Sequence, residues 1–260
     1  MNKPITWVLL FVAGYSVAQT SPPEFEPNVF QVDNFQLNYQ ILYPEGFSPK
    51  ASYPVLLFLH GAGERGSDNQ KQLTHGSELF LNADFRIKHP AIVLFPQCPE
   101  DSYWANVQVD RSSWPLKFDF DAGGEPTVAL SAVMALMDSI QSLPFTKDSQ
   151  VYAGGLSMGG MGTFELISRK PSMFAAAFAI CGGAHLDRAK VIAENVPMWI
   201  FHGAQDNVVP PSFSTDMVIA IRKAGGEAKY TLYKEANHNS WDSAFREPGL
   251  MEWLFAKSKE

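Results

Sequence analysis

Three short, uninterrupted apolar runs, at 54–59, 91–95 and 198–201, constrain this chain more than any other feature. With an apolar side chain at nearly every position, neither face of such a segment can be left in water. Runs this short suit parallel strands buried on both faces. Residues 151–153 and 174–180 fit the same description less cleanly. Between the runs lie amphipathic helical patterns at 128–140, 212–223 and 241–256, the first with Val133, Leu136, Met137 and Ile140 on one stripe. Gly225-Gly226 stops the second before a strand at 229–233. Residues 37–43 instead alternate apolar and polar, which predicts an antiparallel strand, exposed on one face, at one edge of the sheet. The order of strands and helices implies an α/β fold, a mostly parallel central sheet with helices on both faces.

The chain has 260 residues, 46% of them hydrophobic and 18% charged, enough to bury a full core as one domain. A net charge of −7 and the lack of any Lys/Arg run argue against nucleic acid as a partner. Residues 1–18 read as an export signal: Lys3, an apolar stretch over 5–13, then Ser16-Val17-Ala18 before a cleavage point at Gln19. That stretch is shorter than the roughly 20 residues a membrane span requires. The expectation is an exported protein, periplasmic or secreted, with an extended Pro-rich lead over 19–27 and a folded domain over 28–260. Once the signal is removed, no membrane span is expected. Neither metal-ligand spacing nor a Gly-rich dinucleotide fingerprint is visible, so no metal and no cofactor are expected. Two stretches, 62–90 and 97–126, lack a regular pattern, and loops of that length often carry function.

Gly155-Leu156-Ser157-Met158-Gly159 matches G-x-S-x-G, between a buried run and a helical segment. A tight strand-to-helix turn there presents the Ser157 hydroxyl, and the glycines leave room for the close approach. Serine becomes a nucleophile only when a base takes its proton. Six histidines are candidates. His60 and His202 each close a buried strand and precede a glycine, which reads as structural. His238 lies in a loop past the last strand and completes the chain order Ser, acid, His. The acid reads best as Asp206, in the turn after the run at 198–201, with Asp187 as the alternative. Backbone N–H groups for a developing oxyanion are expected from Met158 and from Ala62, within His60-Gly61-Ala62-Gly63.

These residues, with Glu64-Arg65-Gly66 and His238-Asn239-Ser240-Trp241, resemble the α/β-hydrolase superfamily over about 37–254. Within it they are similar to compact esterases related to dienelactone hydrolase, polyhydroxybutyrate depolymerase and feruloyl esterase, including secreted "predicted peptidase" members. The resemblance implies a serine esterase without a large cap domain, working through an acyl-enzyme on a small-molecule or polymer-linked ester. A peptidase on the same triad and a non-catalytic binding protein are the alternatives. It also implies a strand order that sets Cys98 and Cys181 three strands apart, roughly 14 Å at ~4.8 Å per step, too far for a disulfide. Glu64 and Arg65 read as an ion pair bracing the oxyanion loop rather than as substrate ligands. Trp104 is either a substrate contact or part of a small core beneath its loop; Phe118 and Phe120 read as core. Trp241 is expected to pack under the histidine loop, with substrate contact as the other reading.

Overall fold

The computed structural model describes residues 24–112 and 114–259. The export signal read at 1–18 and residues 19–23 of the lead lie outside the described residues. Along the chain the strands are β1 (Glu26–Val32), β2 (Phe35–Leu42), β3 (Tyr53–Leu59), β4 (Ile92–Pro96), β5 (Val107–Asp110), β6 (Lys117–Phe120), β7 (Thr146–Leu156), β8 (Ala176–Ile180), β9 (Met198–Gly203) and β10 (Ala228–Tyr233). All but β5 and β6 join one sheet in the order β1-β2-β4-β3-β7-β8-β9-β10. From β4 to β10 every neighbour is parallel, while β2 is antiparallel to both β1 and β4. The helices are α1 (Ser77–Leu81), α2 (Ala83–Lys88), α3 (Val128–Gln141), α4 (Met158–Arg169), α5 (Arg188–Asn195), α6 (Ser212–Lys223), α7 (Trp241–Ala244) and α8 (Leu250–Phe255).

The uninterrupted apolar run of β3 has a direct explanation in this arrangement. Val55, Leu57 and Leu59 point into the layer with Val133, Leu136 and Ile140 of α3. Leu56 and Phe58 point into the opposite layer, against Phe80, Phe85 and Leu254. All five side chains are fully buried. Each such burial is worth about 1.5–3 kcal/mol, so one polar substitution on either face would cost more than the strand's local propensity returns.

Several expectations need correction. β2 is not an edge strand, because β1 pairs along its full length and covers it. β1 begins at Glu26, inside the segment read as lead, and Pro27 is tolerated there because the strand forms the sheet's edge. The final helix is two pieces, α7 and α8, separated by Pro248-Gly249, where Gly249 takes φ 81°. The stretch 62–90 holds α1, α2 and two single-turn 3₁₀ segments, and 97–126 holds the β5–β6 hairpin. None of these is long enough for a period to emerge in the sequence. Among the described residues only α5 lies between β8 and β9, so no cap domain is inserted there. Among the described residues no helix is long and apolar enough to cross a membrane.

Cys98 follows β4 and Cys181 follows β8, and β3 and β7 lie between those strands. Both thiols are free and buried. Burial pushes Cys98 up to about 12 and raises Cys181 as well. Unreduced native protein is therefore expected to react negligibly with a thiol reagent, and the same protein unfolded in guanidinium to titrate two thiols per chain. A titration of none after unfolding would reveal a bridge and contradict the strand order.

Candidate active site

The chain turns sharply from β7 into α4 at Ser157, which has φ 53° and ψ −118°, a positive-φ conformation that costs a non-glycine residue about 1–3 kcal/mol. The surroundings hold it there. Its N–H donates to Ile180 O at the end of β8, at 2.8 Å. The first turn of α4 presses against the end of β3, so that a Cβ on Gly159 would lie 1.9 Å from Leu59 O. Glycine is thus required at 159 by backbone contact, a reason that sequence spacing alone does not supply.

The three predicted triad side chains meet although they come from three separate loops. Ser157 Oγ lies 2.9 Å from His238 Nε2, and His238 Nδ1 lies 2.7 Å from Asp206 Oδ2. Gly203 makes the last contact possible, since a Cβ there would lie 2.3 Å from Asn237 O in the histidine loop. Asn237 Oδ1 ties the two loops together by accepting from the N–H groups of His238 and Asn207. The alternative acid, Asp187, is exposed beside His185 and is not part of this cluster.

Asp206 is buried yet ionised. Burial, the largest single influence, pushes its carboxyl up. Hydrogen bonds from His202 and His238, the charge of His238 and the Val208 N–H together outweigh it and hold the group below the usual carboxylate range. Oδ1 accepts from the N–H groups of Val208 and Val209 at 2.9 and 3.0 Å. Oδ2 accepts from His238 and from His202 Nε2, the latter at 3.1 Å. His202 closes β9 as a structural reading of the sequence expects, but its contact with the acid was not legible there. Its place four residues before Asp206 was the available signal.

Both N–H groups expected at the oxyanion sit at first helical positions, Met158 in α4 and Ala62 in the 3₁₀ turn Ala62–Glu64, where no partner exists within the helix. Ala62 lines the same cleft as Ser157 and His238. His60 braces this loop: its Nδ1 faces Gly61 O at 2.6 Å, and its Nε2 accepts from Cys98 N–H at 2.9 Å. Burial pushes the His60 imidazole down to about 4, so it is neutral near pH 7. The expected Glu64–Arg65 pair is not formed. Arg65 instead donates to the carbonyls of Ala62, Glu100 and Ser102, bracing the loop through backbone, while Glu64 faces His75 at 3.8 Å.

The cleft above Ser157 has a volume of about 250 Å³ and is walled by Tyr103, Leu116, Phe118, Val209 and Trp241, with Glu64, His75 and Arg111 as polar members. The larger hollow, about 690 Å³, lies on the β5–β6 hairpin near Asp119 and Glu125 and includes none of the triad residues. Trp104 is not a substrate contact. It is fully buried, donates from Nε1 to His60 O at 3.2 Å and packs over Gly162 of α4, whose missing side chain makes the space. Phe118 and Phe120 pack with Phe213 in a small cluster, but Phe118 also reaches the cleft. Trp241 lies edge-on to the His238 ring at 5.4 Å and lines the cleft, so packing and exposure to a ligand coincide in one residue.

A G-x-S-x-G turn at the C-terminal edge of a parallel sheet, with an acid and a histidine on later loops, defines an α/β-hydrolase. The phospholipase/carboxylesterase family matches residues 48–247, and the chain belongs to that family. The bifunctional acetylxylan esterase/xylanase of Neocallimastix patriciarum is 28% identical over 166 residues, covering 64% of this chain and 21% of that protein. The crystal structure of a thermostable esterase is similar with TM-score 0.81 and 32% identity, over 90% of this chain and 63% of the other. The Porphyromonas gingivalis dipeptidyl peptidase 4 shares the fold, with TM-score 0.67 and 16% identity, over 91% of this chain and 36% of its own. This chain therefore spans about a fifth of that curated relative and under two thirds of that esterase.

The environment of Asp206 has a consequence for stability. Its folded carboxyl lies below its unfolded value, so the stabilisation is complete above about pH 4–5 and is lost as pH falls through the folded value. Asp206→Asn is expected to destabilise the protein by about 2–4 kcal/mol at pH 7. Urea unfolding is expected to find that difference smaller at pH 3 than at pH 7. A difference independent of pH would mean that the carboxylate's charge contributes nothing.

Proposed function

We propose that the protein is a serine hydrolase of carboxylic esters. The observation that carries this reading is the continuous contact Ser157 Oγ, His238 Nε2, His238 Nδ1, Asp206 Oδ2, at 2.9 and 2.7 Å. His238 accepts the Ser157 proton as Oγ attacks the ester carbonyl carbon. The Ala62 and Met158 N–H groups hold the oxyanion, and His238 then returns the proton to the departing alcohol. Water, activated by the same imidazole, releases the acyl group from Ser157. Asp206 keeps the N–H of His238 on Nδ1, which leaves Nε2 free as the base.

Membership of the phospholipase/carboxylesterase family and the 32% identity to an esterase favour esters over amides. The likeness to a dipeptidyl peptidase is one of fold and favours neither. The uncapped cleft suits a short or ring-bearing acyl group, with the alcohol left toward solvent, whether on a small molecule or on a polymer. Acetyl groups on xylan, the substrate named for the Neocallimastix patriciarum relative, are a fitting polymer-linked candidate.

The test is hydrolysis of a p-nitrophenyl ester series, acetylated xylan, methyl ferulate and a peptide amide by wild type and Ser157→Ala. Wild type is expected to turn over esters faster than the amide, and Ser157→Ala to lose kcat by about 10⁴-fold or more. The kcat/KM profile is expected to fall toward acid along a limb that reports His238 protonation. Equal activity of the two proteins would remove Ser157 as nucleophile. An inert but folded wild type would favour a binding role instead.

A further inference from the structure

The acid of the triad has a second imidazole behind it, and that imidazole has its own partner. His202 is fully buried, with Nε2 3.1 Å from Asp206 Oδ2 and 3.0 Å from Val209 O, and Nδ1 2.7 Å from Ser214 Oγ on α6. Ser214 Oγ in turn lies 2.9 Å from Gly182 O. The proton positions follow from the chemistry of the partners. A carboxylate oxygen and a backbone carbonyl only accept, so Nε2 must carry a hydrogen. The single Ser214 hydrogen goes either to Nδ1, leaving a neutral ring, or to Gly182 O, leaving an imidazolium. In both states Nε2–H donates to Asp206.

We propose that His202 is a positioning residue for the triad, a permanent N–H donor that holds Asp206 Oδ2 aimed at His238 Nδ1. The carboxylate has about four acceptor sites, and Val208, Val209, His202 and His238 fill them. Three are fixed structure, and only the contact to His238 changes during turnover. Without the His202 donor the carboxylate is free to turn away from His238 and becomes more basic. The first change lowers kcat, and the second strengthens its hold on protonated His238, which moves the acid limb of the rate profile upward. The other titratable groups facing this cluster are His238 itself and the Cys181 thiol at the end of β8, within 4.8 Å of the other two ligand atoms. His75 and Glu64 lie one ring further out, beyond Trp241. Burial keeps Cys181 protonated, so it contributes no charge near neutral pH.

The inference rests on the triad proposed above, and two variants separate donor from shape. His202→Phe keeps a ring without the N–H, whereas His202→Gln keeps an N–H near the Nε2 position without the ring. On p-nitrophenyl acetate, His202→Phe is expected to lose kcat by about 10–100-fold with KM little changed and an acid limb raised by about half a unit or more. His202→Gln is expected to restore most of both. If Phe matches wild type, or if Phe outperforms Gln among folded variants, the ring only fills space and the proposal is overturned. Ser157→Ala runs alongside: its retained activity would sink the triad itself, whereas its inactivity with an unmoved His202→Phe profile sinks only the positioning role. Should neither variant fold, ¹⁵N NMR of wild type decides: Nε2 of His202 must read as protonated from pH 6 to 9, and an unprotonated Nε2 overturns the proposal.

Discussion

The contact between Gly159 and the backbone of Leu59 is the constraint on which the arrangement of the cleft depends. β3 and β7 are neighbours in register, with Leu59 opposite Gly155, so the loops leaving them start side by side. For Ala62 N–H and Met158 N–H to serve one oxyanion, the first turn of α4 has to lie directly on the end of β3. Any side chain at 159 would hold those two backbones apart. The same contact keeps Ser157 in its strained conformation, because relaxing φ toward ordinary values would swing α4 off the sheet. A strain of about 1–3 kcal/mol is small beside the burial of the β3 and β7 side chains on both faces, so the fold retains it.

Three histidines stand near the strand ends, and their surroundings assign them different work. His60 is locked by Gly61 O and Cys98 N–H, and desolvation keeps it neutral, which makes it a strut beneath the oxyanion loop. Protonation there would break the Cys98 contact and disturb the Gly61–Ala62 backbone. His202 is locked from both sides by Asp206 and Ser214. Only His238, partly exposed to the cleft, has a nitrogen facing a group whose proton it is free to take. Residue type alone does not separate these roles; the number of fixed partners does.

Much of this was legible in the sequence for a physical reason. Strands buried on both faces must be apolar throughout, so β3, β4 and β9 announced themselves. The G-x-S-x-G glycines are a steric necessity at the turn, and the late loops carry Asp206 and His238, whose side chains meet Ser157. What was not legible was set by contacts between distant segments. Residues 26–32 of β1 bury no side chain fully; Phe30 and Val32 only half-bury against the core, too few to impose a pattern, and the strand is held by pairing to β2. The Glu64–Arg65 pairing failed because sequence adjacency says nothing of direction: Arg65 turned toward the carbonyls of the 100–102 turn, and Glu64 toward His75. Trp104 was ambiguous because its environment, the gap over Gly162, is made by a helix nearly sixty residues further on.

The division between machinery and specificity follows from where those contacts lie. Ser157, His238, Asp206 and the Gly61–Glu64 loop are braced by sheet ends and buried partners, and on the proposed reading they act on the ester group itself rather than on the acyl chain. The wall that would meet that chain comes from the β5–β6 hairpin and its flanks, with Tyr103, Leu116 and Phe118 on one side and Trp241 on the other. That region is tied to the core by Glu165 of α4, which is buried, paired with Arg169 and Arg188, and accepts the Asn106 N–H at 2.8 Å. A buried, fully partnered carboxylate at the root makes the hairpin a fixed wall there, while its tip at Trp114 is exposed. On the proposed reading, selectivity for an acyl group falls to the side chains at 103, 116, 118 and 241, which line the cleft, more than to Ser157, His238 and Asp206. The hairpin contributes no atom to the Ser157–His238–Asp206 contacts, so on that reading it can change without disturbing them.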